Sequence, residues 1–313
     1  MAPVAPAADP CKLAPGAIRR IVDMLGAIEA GGTKIVCAAG PVPGQIHARE
    51  TFRTAAPTET FQQIQAFFGP YAESGQLEAL GLAAFGPVGI APGAPGYGQV
   101  QKTPKPGWTG VDWLDGLAPL ACPVALDTDV NAAALGEQAL GAGQGCQTLA
   151  YVTVGTGIGA GVIHQGRAPS GTGHYEMGHI YPPRSLGDVF EGLCPYHGDC
   201  LEGLASGPAI AARWGTDLSS LLADHPAHAL EAAYLAQLAV TITLTHMPER
   251  IVFGGGVMKT PGLIDRVRAE TRRLLGGYVS QGPASGDLGG YIVPPGLGED
   301  SGITGALILA SRA

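Results

Sequence analysis

Thr148-Leu149-Ala150-Tyr151-Val152-Thr153-Val154 runs directly into Gly155-Thr156-Gly157-Ile158-Gly159-Ala160-Gly161 and out again along Val162-Ile163. A short apolar, partly β-branched run, a glycine turn and a second apolar run read as strand, turn, strand. The same grammar occurs near the start of the chain, where Leu25 to Ala30 and Ile35 to Ala38 flank Gly31-Gly32-Thr33-Lys34. Each turn can present several backbone N–H groups and a threonine hydroxyl to an anion, for which phosphate is the natural guest. A tight hairpin that merely needs residues with φ > 0 would read the same way.

Outward from these hairpins the chain alternates strands and helices. Helical spacing of Phe61, Ile64, Phe67 and Phe68 predicts a helix over 58–71, with Thr58, Glu59 and Thr60 as candidate caps. Strands are expected at 79–84, 123–127 and 250–253, and helices at 130–142, 207–214, 229–246, 263–275 and 302–310. The stretch 100–113, with Pro104, Pro106 and Gly107, reads as loop. Two hairpin-led α/β halves then face a cleft, where a ligand would sit.

Composition limits the function classes. The chain has 313 residues, 46% hydrophobic, and a formal net charge of −8, so it lacks the basic surface that a nucleic-acid partner requires. No window is expected to reach the roughly 18 uncharged apolar residues of a membrane span, and Met1 to Pro10 lacks signal-peptide character. A cytoplasmic protein with no membrane partner is expected. The 49 Gly and 26 Pro, close to a quarter of the chain, punctuate ordered segments and suggest backbone held close to a ligand. Residues 1–23, rich in Ala and Pro, are expected to form a mobile extension, and cannot build a helix-turn-helix segment. The scattered cysteines are expected as buried thiols, with Cys194 and Cys200 the one close pair.

Two rival motifs fail. Gly155, Gly157 and Ala160 match the dinucleotide pattern, with Glu176 about twenty residues on, but strand-like sequence follows the turn where that pattern needs a helix. Met258 stands where a Walker motif needs the glycine before Lys259-Thr260.

Asp127-Thr128-Asp129-Val130-Asn131 marks a strand-to-helix junction. An aspartate there can simply cap the helix. At the mouth of the cleft, Asp129 can also accept the proton of an alcohol that attacks a phosphoryl group. Cys194-Pro195-Tyr196-His197-Gly198-Asp199-Cys200, with His179 upstream, offers soft and borderline donors that suit tetrahedral Zn²⁺, and four protein ligands would make the site structural. Two cysteines close by chance is the plainer alternative.

Taken in order, Ile28 to Lys34, Asp127 to Ala134, Gly155 to Gly161, and Glu176-Met177-Gly178-His179 followed by the Cys/His cluster resemble the ROK family of bacterial sugar kinases, and within it the fructokinases. The resemblance runs from Met24 to the C-terminus. It implies an α/β protein of actin-like, hexokinase-type fold, with two α/β domains around a central cleft: a small one, 24–122 plus the C-terminal helix 300–313, and a large one, 123–299, with a zinc-binding loop. It implies ATP, Mg²⁺ and Zn²⁺, with the ATP phosphates at Gly31, Gly32, Thr33, Lys34, Thr156 and Gly157 and adenosine near Gly255 and Gly256. Asp129 matches the general base; Gly86, Asn131, Glu176, His179 and Glu202 match sugar-binding positions; His179, Cys194, His197 and Cys200 match the zinc ligands. Thr128 stands where many family glucokinases have Asn, and Glu29 where Asp is more usual, the latter fitting the fructokinase branch. The activity implied is ATP-dependent phosphorylation of a hexose at its 6-hydroxyl, D-fructose to fructose 6-phosphate, in a homodimer. A mannokinase or glucokinase, or a zinc-stabilised sugar-binding protein without turnover, are the alternatives.

Overall fold

In the computed structural model, residues 23–169 and 171–313 are described; the extension expected before Asp23 lies outside them. The first unit opens with a hairpin of β1 (Met24–Ala30) and β2 (Lys34–Gly40), then β3 (Ala48–Arg53), α1 (Pro57–Glu73), β4 (Leu77–Ala84), α2 (Trp113–Leu117) and β5 (Val124–Thr128). The chain continues through α3 (Asp129–Leu140) to a second hairpin, β6 (Thr148–Val154) and β7 (Ile158–His164). Then follow α4 (Leu201–Ala205), α5 (Gly207–Trp214), α6 (Pro226–His246), β8 (Arg250–Gly254), α7 (Leu263–Leu275), β9 (Ile292–Val293) and α8 (Ser301–Ala310).

The two sheets repeat one plan. In the order β3-β2-β1-β4-β5, β1 pairs antiparallel with β2 and parallel with β4; in the order β7-β6-β8-β9, β6 pairs antiparallel with β7 and parallel with β8. β5 pairs with β4, so the first sheet extends past the boundary expected at residue 122. Alternation along each strand feeds two cores. Ile28, Leu80 and Leu82 pack under Ile64 and Phe68 of α1, while Leu25, Ala27 and Ala83 pack under Ile303, Ala306 and Leu307 of α8. In the second sheet Ala150 and Val152 meet Leu235, Leu238 and Ile242 of α6, and Leu149 and Tyr151 meet Ala133 and Ala134 of α3.

Three expectations need correction. Thr58 to Thr60 do not cap α1: its N-cap position is Ala56 with Pro57 opening the helix, and Thr60 Oγ1 instead accepts the N–H of Ala55. The glycine run 155–161 is not all turn, since β7 already begins at Ile158. Gly159 and Gly161 are strand residues without side chains because α3 lies against them; a methyl carbon on Gly161 would fall 2.6 Å from Asn131 Oδ1. And α6 does meet the length and composition of a membrane span, but its apolar residues are largely buried in the core of this fold.

α3 and α8 cross between the sheets at backbone contact. A methyl carbon on Gly305 would sit 1.7 Å from the Ala132 carbonyl oxygen, and one on Gly136 2.4 Å from that of Ser301. Buried Glu137 ties the crossing to the loop before α8, its carboxylate accepting from the N–H groups of Gly296 (2.9 Å) and Leu297 (3.0 Å) and from Ser301 Oγ (2.7 Å). Gly305→Ala is therefore expected to cost about 1–3 kcal/mol, the usual scale of overpacking, read as a lower urea midpoint at unchanged slope.

Candidate active site

The glycines of both hairpin turns have ordinary φ angles; of Gly31, Gly32, Gly155, Gly157, Gly255 and Gly256, only Gly255 (φ 92°) is left-handed. The requirement for φ > 0 therefore does not explain them. Packing explains few of them either. A methyl carbon on Gly32 would meet nothing closer than Lys105 Nζ at 3.4 Å, one on Gly155 only Gly256 N at 4.0 Å, and one on Gly256 nothing within 4 Å. These three positions are bare toward open space, as backbone that a ligand must approach closely has to be.

Between the hairpins lies a cavity of about 580 Å³ lined by Glu29, Lys34, Asp129, Gly255, Gly256 and Lys259 among others. A second, of about 400 Å³, lies across Gly256 and is lined by Thr156, Asp217, Val257 and Thr260. Of the predicted nucleotide residues, Lys34, Thr156, Gly255 and Gly256 thus line adjoining spaces, while Gly31, Gly32, Thr33 and Gly157 line neither. The carboxylates here are placed by helix starts. Thr128 caps α3 through its hydroxyl, which accepts from Asn131 N at 3.2 Å, leaving Asp129 as the first helical residue with Oδ1 accepting from Val130 N at 2.9 Å. Glu29, at the end of β1, reaches the start of α8, where Gly302 leaves room for it: a methyl carbon there would come within 3.0 Å of both carboxylate oxygens. Burial raises the Asp129 carboxyl to about 6. Burial likewise raises Glu29 to about 7, the Asp129 charge adding to the effect and Lys34 opposing it. Glu29 Oε2 is buried with no partner.

Asn131, expected as a sugar-binding position, is held by the protein itself. It is buried, its Nδ2 donates to Asp127 Oδ1 at 2.7 Å, and it lies beneath Gly161, so it braces the Asp127-Asp129 corner. Glu202 links two features: its Oε2 accepts from Ile158 N at 2.9 Å, while Oε1 lies 3.9 Å from His179 Nε2. Gly86 and Glu176 face each other across His174, whose buried ring accepts from Val88 N at 3.2 Å and lies 3.6 Å from Glu176 Oε1. Burial raises the Glu176 carboxyl, with His174 and His179 opposing.

His179, Cys194, His197 and Cys200 converge, with all ligand atoms within 4.8 Å of one another. His179 Nδ1 is 3.4 Å from Cys200 Sγ and 3.7 Å from Cys194 Sγ, and His197 Nδ1 is 3.5 Å from Cys194 Sγ. Nitrogen and sulfur ligands on one tetrahedral zinc would stand about 3.3–3.8 Å apart, so these three pairs already have the spacing such an ion requires and the whole set lies close to it. His179 points Nδ1 into this cluster and Nε2 toward Glu202.

The sequence reading did not single out His174 and Lys105. His174 is legible only as a histidine two residues before Glu176. Lys105 stands between two prolines in what reads as plain loop, and its ammonium lies against the first glycine turn, donating to Gly32 O at 2.6 Å.

Two hairpin-led sheets of matching topology around a cleft, with bare glycine turns and a helix-start carboxylate, define an actin-like fold of the hexokinase type. The ROK family model matches residues 25–313, and the chain belongs to that family. It is 44% identical to a putative fructokinase of Bacillus subtilis (strain 168), over 93% of this chain and 96% of that protein. A fructokinase of Pediococcus pentosaceus is 42% identical over 93% of this chain and 98% of its own. Among solved structures, the ROK hexokinase from Thermus thermophilus superposes with a TM-score of 0.72 at 26% identity, covering 92% of this chain and 98% of that one.

Proposed function

We propose that the protein transfers the γ-phosphoryl group of ATP to the 6-hydroxyl of D-fructose. The observation that carries this reading is the meeting, in one cleft, of glycine turns open to a ligand and a half-buried Asp129. The names of its relatives from Bacillus subtilis and Pediococcus pentosaceus point to fructose. The turns Gly31-Gly32-Thr33-Lys34 and Thr156-Gly157 hold the phosphates, and the space beside Gly256 and Val257 takes adenosine. Asp129 accepts the hydroxyl proton as the sugar oxygen attacks phosphorus and the bond to the ADP oxygen breaks. Mg²⁺ on the nucleotide supplies charge neutralisation, and the unpartnered Glu29 oxygen is a donor suited to hold it. Glu176, His179 and Glu202 bind the sugar, while closure of the cleft excludes water from the γ-phosphate. His179, Cys194, His197 and Cys200 would hold Zn²⁺, which would fix the start of α4, the helix that carries Glu202, and a homodimer belongs to the same proposal.

Asp129→Asn is expected to lower kcat about 10²-fold or more in a coupled ADP-release assay across fructose, mannose and glucose. Near-normal turnover would remove Asp129 from the mechanism. A base must be ionised to accept a proton, and burial raises this one to about 6. Wild-type kcat/KM is therefore expected to be flat above that pH and to fall about tenfold per unit below it. Cys194→Ser is expected to take zinc from about one per chain toward zero by elemental analysis, raising KM for the sugar with much less change for ATP. A metal-free wild type, or an unchanged sugar KM in the variant, would contradict the zinc assignment.

A further inference from the structure

Lys105 lies against the first glycine turn, beside the place where negative charge would gather. A nucleotide on the glycine turns brings phosphate to the neighbourhood of two carboxylates, Glu29 and Asp129, and the transfer spreads further charge over the oxygens of the moving group. Lys34 opposes Glu29. At the rim, Lys259 is already engaged by Glu299. Lys105 has no carboxylate within ion-pair distance among the described residues; its Nζ donates to the carbonyl of Gly32, on the turn itself, and lies 3.8 Å from the centre of the Phe85 ring.

The backbone holds this lysine in place. Its carbonyl accepts from Trp108 N at 3.3 Å, and Trp108 is itself buried, packed 5.1 Å from Phe85 and 4.9 Å from Trp113, with its indole N–H on Ala55 O. Pro104 and Pro106 on either side limit the backbone. Held this way, the ammonium is the one group among the described residues that a methyl carbon on Gly32 would meet, at 3.4 Å. Burial lowers the Lys105 ammonium to about 8, and the Asp129 charge acts the other way, so it is still predominantly charged at neutral pH. A cation stacked on an aromatic ring, with one neutral carbonyl partner, is partly desolvated and can exchange that carbonyl for an anionic oxygen.

We propose that Lys105 is a further catalytic residue, its ammonium contacting the γ-phosphoryl oxygens as the group passes from nucleotide to sugar. This rests on the phosphoryl-transfer reading. The bond from phosphorus to the ADP bridging oxygen breaks, the bond to the sugar oxygen forms, and the hydroxyl proton goes to Asp129. Lys105 keeps its proton throughout and acts by charge alone. Because the contact strengthens as negative charge spreads over the equatorial oxygens, it lowers the barrier more than it tightens substrate binding.

The test compares wild type with Lys105→Met, Lys105→Arg and, as a control on the same loop, Lys102→Met; Lys102 is exposed. Lys105→Met is expected to lose 10²- to 10³-fold in kcat with KM for ATP and fructose within about threefold, Lys105→Arg to recover part of the loss, and Lys102→Met to match wild type. A second readout does not depend on turnover. Mg²⁺-ADP with aluminium fluoride and fructose, which imitates the transferring group, is expected to bind Lys105→Met at least tenfold more weakly than wild type, while Mg²⁺-ADP alone binds both equally. Wild-type kcat in Lys105→Met, a loss confined to KM, or equal affinity for the fluoride complex would overturn the proposal. A wild-type protein that turns over no hexose would overturn the phosphoryl-transfer reading itself, a result separate from those three.

Discussion

The crossing of α3 and α8 is the contact on which the site depends. Two helices approach to backbone distance only where side chains are absent, and here Gly136 and Gly305 supply that absence, with Gly81 of β4 admitting α8 to the first sheet. The helices start at the cleft: α3 with Asp129, α8 beside Glu29. A carboxylate near a helix start is favoured by the exposed N–H groups there. The geometry that joins the sheets therefore also sets the two acidic groups. Glu137, with its carboxylate shared among Gly296, Leu297 and Ser301, locks the end of α3 to the entry of α8.

The fold accepts an electrostatic cost in exchange. Burial raises both Glu29 and Asp129, and each is made worse by other negative charge nearby. Cations arriving with a nucleotide, together with Lys34, would relieve that strain. Glu202 connects the second glycine turn to the Cys/His cluster, which makes the position of one depend on the other.

Much of this was legible in the sequence. β6, α5 and α7 fall where periodicity put them because each carries a clean apolar pattern with glycine or proline at its borders. β3, Ala48–Arg53, was not foreseen: it is a polar, largely exposed edge strand, defined by its register with β2 and not by its own composition. The sequence reading starts β7 four residues late, at Val162 and not Ile158, since Gly159 and Gly161 look like turn residues until α3 is seen lying on them. The Cys/His cluster was visible from spacing, with His179 brought in from fifteen residues upstream by the loop. The hydrogen bond by which Asn131 braces Asp127 is not legible in the motif, because it depends on how the strand-to-helix corner folds back on itself. Lys105 escaped notice because its importance comes from a contact with Gly32, 73 residues away.

The most direct test of the account is the identity of the product. With Mg²⁺-ATP and D-fructose, ³¹P and ¹³C NMR of the reaction mixture should show one sugar ester, on C6, formed in step with ADP. ADP accompanied by inorganic phosphate and no sugar ester, or an ester on another carbon, would contradict it.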